Sequence, residues 1–328
     1  MNLTNRTDLP EHAELQYVNI VFRSILTLCI CFGNIMVIAA IQRSPALKNV
    51  PNHFIMHLAI ADLSVGVTMP FYIASTAQPA LVTNIYLCIL RYCGIGVTAM
   101  ASVLCLLSIA VDRYTAIVYP LRYNAIMTLS RARRLTVVIW VMSFVLYLVI
   151  PCLWHNEWTD IPDRDCLYVK VMKREYLGGV NNPMFVLATV FIMCLYGRIF
   201  YIAHKRGKED PIGQFVPRNS LEVDLKIAKM AAIVLGIFVL CWFPFVAMVG
   251  IQVYGDLVYS EQMNEANSYV TNLLFVNSAV NPVVYAFRSE TFMTEFRKLL
   301  HIKAKPQSNV QAPAPVIFST MNTTDTAL

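Results

Sequence analysis

The chain has 328 residues, 57% of them hydrophobic and only 14% charged, with a formal net charge of +6. Soluble domains carry about 25% charged residues, so this composition excludes a soluble globular protein. The basic excess sits in short loops between apolar runs, where it reads as membrane-surface anchoring and leaves no footprint for nucleic acid.

Seven segments lack charged residues and histidine, or nearly so: 24–42, 53–71, 92–111, 135–154, 176–197, 230–255 and 266–287. About twenty residues rising roughly 1.5 Å each cross a hydrocarbon core of about 30 Å, so each segment is expected to span a membrane as a helix. The expected fold class is an all-α membrane protein, with a seven-transmembrane helix bundle over residues 17–288. Arginine and lysine gather after span one (Arg43, Lys48), span three (Arg122, Arg131, Arg133, Arg134) and span five (Lys205, Arg206, Lys208, Arg218), and again in the tail. Basic loops mark the cytoplasmic side, which puts the N-terminus outside and the C-terminus inside. Residues 1–16 are polar, show no cleavable signal and form an outer tail too short to be a binding domain. Asn2 and Asn5 each open a glycosylation sequon there.

In span one, Asn34 follows Gly33, and an amide in lipid must find partners on other helices. Arg23 lies eleven residues earlier, about three turns, and so points roughly the same way. It reads first as a cation snorkelling to the headgroups and second as a ligand contact. Asp62 stands midway through span two, where an ionisable group is a functional-site candidate. Ser102, Asn277, Ser278 and Asn281 are the polar residues at matching depth. One carboxylate, two amides and two hydroxyls suit a hard monovalent cation with water; the other reading is a polar network that holds the helices together around a protonated Asp62. Cys88 and Cys166 both map outside and are the expected disulfide pair, with the deeper Cys93 and Cys152 as competitors. Such a bond holds Tyr168 over the bundle mouth.

Span three ends in the cluster Asp112-Arg113-Tyr114, which belongs at the inner interface because charges are costly in mid-bilayer. Asp224, ahead of span six, stands where it can reach Arg113 across the bundle. Span six carries Phe238 and Cys241-Trp242-Phe243-Pro244, and Pro244 removes a backbone hydrogen bond and kinks the helix. Trp242 is placed to feel what fills the cavity above. Pro282 loosens span seven between Asn281 and Tyr285. Phe292, Phe296, Leu299 and Leu300 then form one stripe with basic residues opposite, an amphipathic surface helix over 289–302. Residues 303–328 read as a disordered cytoplasmic tail with hydroxyl phosphoacceptors, and its end, Thr326-Ala327-Leu328, suits strand addition to a PDZ domain. The six histidines fall at span ends or in loops and carry no expected function.

Taken in order, Gly33-Asn34, Leu58-Ala59-Ile60-Ala61-Asp62, Cys88, Asp112-Arg113-Tyr114, Trp140, Cys166, Cys241-Trp242-Phe243-Pro244 and Asn281-Pro282 through Tyr285 resemble the rhodopsin-like (class A) G protein-coupled receptors. The resemblance covers residues 20–300, with one motif in each expected element. It implies a plasma-membrane receptor, not an enzyme, that works as a ligand-operated switch. At rest Arg113 pairs with Asp112 and Asp224. An agonist in the outer cavity favours a state with span six swung out; Arg113, Tyr196 and Tyr285 rearrange, and a heterotrimeric G protein enters the inner cleft. The resemblance further implies a sodium ion at the Asp62 cage that favours rest, no other cofactor, and a receptor kinase and arrestin as partners.

By position in the family pattern, Phe275 stands where opsins keep the retinal-linking lysine, which excludes a photoreceptor. Ile95 stands where amine receptors keep an aspartate, so a typical amine receptor is not expected. Flanking text such as Ala46-Leu47-Lys48-Asn49-Val50 and Leu195-Tyr196-Gly197-Arg198-Ile199-Phe200 resembles the adenosine receptors. Val249, however, replaces the asparagine that grips the purine there. Ala188 replaces the usual proline of span five, and Val103 the usual isoleucine beside Phe238. The pocket the resemblance implies is Arg91, Ile95, Ala99, Tyr168, Met184, Trp242, Phe245, Val246, Val249, Thr271 and Phe275. This wall is almost wholly apolar and suits a hydrophobic or aromatic ligand, while Arg91 and then Arg23 offer charge to an anionic headgroup. Two ligand readings follow, a nucleoside-like or other aromatic small molecule and a lipid or carboxylate, with a short peptide as the remaining alternative.

Other functional classes fit the chain less well. A transporter would show internal repeats with paired broken helices, and a channel a selectivity filter or charged rings; neither pattern appears in the sequence. Asp62 is the only acid deep in a span, so an intramembrane acid pair is missing. A non-signalling decoy receptor is disfavoured by the intact Asp112-Arg113-Tyr114 and Asn281-Pro282 motifs.

Overall fold

A computed structural model describes residues 8–161, 166–209, 218–255 and 261–302, with backbone alone at 8–13, 203, 206–209, 218–224 and 261–265. Eight helices organise them: α1 (Asp8–Arg43), α2 (Val50–Ala77), α3 (Ile85–Val118), α4 (Leu129–Phe144, a π turn over Val145–Val149, then Ile150–Leu153), α5 (Arg174–Tyr176, a π turn over Leu177–Asn181, then Asn182–Glu209), α6 (Arg218–Tyr254), α7 (Glu261–Arg288) and α8 (Glu290–Leu299). The first seven are long and apolar enough to cross a membrane. Only an isolated bridge between His155 and Met172 departs from helix and loop among the described residues.

The helices outrun the apolar segments that predict them. α1 already begins at Asp8, inside the stretch expected to be a tail, and α3 continues seven residues past Val111 to Val118. An apolar run measures how much helix lies in hydrocarbon, not where the hydrogen-bonded helix stops. Side-chain caps set several starts: Asn49 Oδ1 accepts from Asn52 N at 3.0 Å, and Asn84 Oδ1 from Tyr86 N at 2.8 Å. Ser289 caps α8, whose Phe292 is buried and stacks on Tyr285 with ring centroids 5.6 Å apart. That contact ties the amphipathic helix to the inner end of α7.

α3 runs through the middle of the bundle and packs on α2, α4, α5 and α6, while α1 packs on α2 and α7. Gly33 lets α1 approach α7, since a Cβ there would lie 2.9 Å from Pro282 Cγ. Beside it, Asn34 Nδ2 donates to the Ser278 carbonyl at 3.1 Å. Two of the histidines do more than the sequence suggests. Trp140 Nε1 donates to His57 Nδ1 at 3.3 Å, and His53 Nε2 lies 3.1 Å from Thr136 Oγ1. Both bonds join α2 to α4, because a half-buried imidazole inside a bundle needs polar partners on its neighbours.

Cys88 and Cys166 form a disulfide with Cα atoms 5.7 Å apart, and the competitors Cys93 and Cys152 are free. The bond fastens the loop after α4 to the start of α3, and with it the short turn Tyr168–Val171. It spans 78 residues of sequence, and losing a native disulfide of this kind costs about 2–5 kcal/mol. Cys166→Ser is therefore expected to lower the unfolding midpoint of the purified protein and its surface expression. An unchanged midpoint would mean that the loop is held by packing alone.

Candidate ligand cavity and activation switch

The outer half of the bundle, the end that carries the disulfide, holds two adjoining chambers that share Tyr72, Tyr92, Tyr168, Phe245 and Thr271 in their walls. The wider one has a volume of about 270 Å³ and lies between α1, α2, α3, α6 and α7, under the loop residues Cys166–Val169. Its wall carries two arginines. Arg23 is only 3% exposed; its Nε donates to Asn272 Oδ1 at 2.8 Å and one terminal nitrogen to Ser268 Oγ at 3.0 Å. Arg91 donates to Thr76 Oγ1 at 2.8 Å, and its Nε is buried without a partner among the described residues. Both guanidiniums sit over Tyr72, Arg23 at 5.3 Å and Arg91 at 4.5 Å from the ring centroid. Neither forms an ion pair with a carboxylate among the described residues.

The narrower chamber, about 50 Å³, lies below and is almost wholly aromatic and aliphatic, lined by Tyr92, Ile95, Tyr147, Tyr168, Phe185, Trp242 and Phe245 among others. Tyr168 bridges the two chambers, 5.3 Å from the Tyr92 ring and 5.9 Å from the Phe245 ring. Its hydroxyl donates to Asn181 Oδ1 at 3.1 Å. The floor is a stack of three rings: Phe185 on Trp242 at 5.0 Å, and Trp242 on Phe238 at 5.6 Å, each pair nearly parallel. Trp242 Nε1 is buried without a partner among the described residues.

The residues expected to form the pocket divide by depth. Arg91, Tyr168, Phe245, Val249 and Thr271 line the outer chamber, and Ile95 and Trp242 the inner one. Ala99 and Phe275 lie deeper, in the wall of a small cavity beside Asp62. Met184 and Val246 line none of these spaces; both are half-buried and pack on the main core. Phe185 takes the place expected of Met184. The π turn over Leu177–Asn181 explains the shift, because an i→i+5 turn breaks the 3.6-residue register between the residues before and after it. A second π turn, in α4, carries Tyr147 to the same chamber. Neither π turn was legible in sequence, although Gly178-Gly179 followed by Pro183 is a local sign of irregular backbone. The snorkelling reading of Arg23 is also corrected: its charge faces the bundle, because Asn272 and Ser268 of α7 offer it acceptors. Tyr72, Ser75, Thr76 and Gln252 are further wall residues that sequence reading missed.

Below the aromatic floor, Asp62 is buried and accepts from Asn281 Nδ2 at 2.7 Å. Ser102, Asn277 and Ser278 line the same cavity of about 10 Å³, room for roughly one water-sized particle. The side-chain oxygens of Asn277 and Asn281 are buried without a hydrogen-bond donor among the described residues. Unsatisfied oxygens around a carboxylate are the donor set that a hard cation takes. Ile95, Trp242 and Leu274 line both this cavity and the chamber above, so one wall serves both.

At the inner end, Arg113 Nε donates to Asp112 Oδ2 at 2.8 Å, and both residues are buried. Tyr123, in the loop after α3, donates to Asp112 Oδ1 at 2.8 Å and lies 3.2 Å from an Arg113 terminal nitrogen. Sequence reading did not anticipate this third member of the latch. Tyr114, the next residue, is half-buried and packs on the core. The Asp224 side chain, Asn2, Asn5 and the segment ending Thr326-Ala327-Leu328 lie outside the described residues. The Tyr196 and Tyr285 hydroxyls are buried without partners among the described residues.

Comparison with known proteins bears on the whole arrangement. Residues 33–285 match the family model described as 7 transmembrane receptor (rhodopsin family). The chain is 31% identical over 302 residues to the adenosine receptor A2b of Gallus gallus, covering 86% of this chain and 87% of that protein. It is 31% identical over 297 residues to the A2b receptor of Homo sapiens (85% and 89%) and 32% identical over 288 residues to the A2a receptor of Canis lupus familiaris (82% and 68%). With the seven spans, the outer cavity and the inner latch, the match establishes that the chain belongs to the rhodopsin family of G protein-coupled receptors, multi-pass membrane receptors rather than enzymes, and is related to the adenosine receptors.

Proposed function

We propose that this receptor binds an anionic small molecule, a lipid or carboxylate type of ligand with an apolar or aromatic body, and answers it by activating a G protein. The observation that carries this reading is the pair of guanidiniums of Arg23 and Arg91 on Tyr72, without a carboxylate partner among the described residues. A charge taken out of water is costly unless it is paired, and a guanidinium fork matches carboxylate or phosphate oxygens. The aromatic inner chamber supports an apolar body below the charged head. Ammonium ligands meet the wrong sign of charge and, at Ile95, no carboxylate.

The test is a G protein activation assay in cells expressing the chain, with a panel of fatty acids, aromatic acids, phosphate monoesters, neutral nucleosides and amines. Responses to acids or phosphates with none to amines are expected. A response confined to neutral nucleosides would overturn the anionic reading.

A nucleoside-like ligand is the second reading, supported by the 31–32% identity to adenosine receptors. Its obstacle is Val249, which is buried in the outer wall and supplies no hydrogen bond to a base. A new neutral hydrogen bond contributes about 0.5–1.5 kcal/mol. On this reading Val249→Asn raises potency for adenosine several-fold in the same assay. Equal silence of both proteins would remove it.

In the switch we propose, a ligand seated in the inner chamber presses on the Phe185–Trp242–Phe238 stack, and α6 pivots at Pro244 inside its length. Arg113 then leaves Asp112 and Tyr123, and the Tyr196 and Tyr285 hydroxyls find partners. Asp62, Ser102, Asn277, Ser278 and Asn281 would hold a sodium ion, whose positive charge neutralises the buried carboxylate and favours the resting bundle. The basic loops support an outer N-terminus and an inner C-terminus. On the inner side the proposed partners beyond the G protein are a receptor kinase, arrestin and, at Thr326-Ala327-Leu328, a PDZ domain.

A further inference from the structure

We propose that the anionic group this receptor recognises is a dianionic phosphate, held jointly by Arg23 and Arg91. This rests on the anionic reading above and narrows it. Arg23 Nε and one terminal nitrogen donate to neutral acceptors, Asn272 Oδ1 and Ser268 Oγ, so its charge has no counter-charge among the described residues. Arg91 has one neutral acceptor, Thr76 Oγ1, and is equally uncompensated. A monoanion leaves one positive charge in this partly desolvated chamber uncompensated, whereas a doubly charged group balances both.

Geometry points the same way. Both guanidinium carbons lie within 5.3 Å of the centroid of one ring, Tyr72, and both side chains line the same chamber, which puts a single group seated there within reach of both. Two buried donors on the chamber wall have no partner among the described residues, Arg91 Nε on α3 and Gln252 Nε2 on α6. They approach from different helices. A planar carboxylate presents two oxygens in one plane; a phosphate monoester presents three in a tetrahedral spread, which suits donors arriving from several directions. Whether the phosphate is a free ion or is carried on an organic body is a separate matter, and the inner aromatic chamber favours a carried one.

The experiment measures thermal unfolding of the purified full-length receptor with phenyl phosphate, inorganic phosphate, benzoate, benzenesulfonate and benzamide at up to about 10 mM. It is run at pH 7.5 and at pH 5.5, either side of the second ionisation of a phosphate monoester near pH 6. The expected result is a rise in midpoint with phenyl phosphate at pH 7.5 that shrinks at pH 5.5. Benzoate and benzenesulfonate shift less and show no such loss, and benzamide does nothing. Arg23→Gln and Arg91→Gln should each abolish the phosphate shift. Inorganic phosphate matching phenyl phosphate supports the dianion site and identifies a free ion as its occupant. Benzoate matching phenyl phosphate at both pH values, with only one arginine needed, overturns the dianion and leaves the anionic reading standing. Benzamide matching all the acids overturns both, and no shift with any probe overturns the phosphate site. The wild-type pH comparison decides the matter even if an arginine variant fails to fold.

Discussion

Replacing Arg91 with alanine is expected to reduce potency for an acidic agonist about ten- to hundred-fold while leaving surface expression near normal. Hydrogen bonds to a charged group contribute about 1.5–3 kcal/mol each, and Arg91 Nε is a buried donor awaiting an acceptor. The same substitution removes the weaker hydrogen bond to Thr76 Oγ1 and the cation–π contact with Tyr72, which stabilise the empty receptor. It also relieves an uncompensated charge, so the fold should tolerate the loss. Arg91→Lys is the informative control. It keeps the charge but not the planar fork, and should recover only part of the potency. A concentration–response series on wild type and both variants, normalised to surface receptor, checks this. Equal potency in all three would show that the guanidinium does not touch the ligand.

The second large effect is expected at Asp62. For a site half-filled near 10 mM sodium, 150 mM sodium stabilises the folded receptor by about 1.6 kcal/mol through mass action. Purified wild-type receptor should therefore unfold at a higher temperature in sodium chloride than in N-methylglucamine chloride at equal ionic strength. Asp62→Asn should show no difference between the two salts. The amide keeps an acceptor for Asn281 Nδ2, whose bond to the carboxylate is 2.7 Å long, so the variant is expected to fold. A sodium effect that survives the substitution would place the ion elsewhere. No effect in wild type would favour a polar network without an ion.

The two cavities share Ile95, Trp242 and Leu274 in their walls. In the proposed switch a ligand in one and a cation in the other would touch the same side chains, and their differential contacts with the two receptor states would couple them.

The bundle was legible in sequence because its signals are local. Apolar runs mark the spans, basic loops mark one face, and Asp112-Arg113-Tyr114 cannot sit in hydrocarbon. Asp62 and its polar neighbours could be grouped by depth alone, and the structure gathers Ser102, Asn277, Ser278 and Asn281 around it. What stayed hidden depends on partners distant in sequence. Arg23 has the length to snorkel, and only the positions of Asn272 and Ser268, about 250 residues away, turn it inward. Tyr123 completes the Arg113 latch because the loop after α3 folds back, which no periodicity encodes. Met184 and Phe185 exchange roles because a π turn inserts a register shift that apolar spacing does not reveal. In each case the residue type was visible and its direction was not.

The most direct test of an anionic ligand compares the most potent acid from the activation panel with its own fully methylated, neutral ester (the dimethyl ester for a phosphate monoester), as competitors for binding to purified receptor. The pair differs in charge and barely in shape. The acid is expected to bind at least about ten-fold more tightly, and Arg91→Ala to bring the two affinities together. An ester that binds as well as the acid, on both proteins, would contradict the anionic reading.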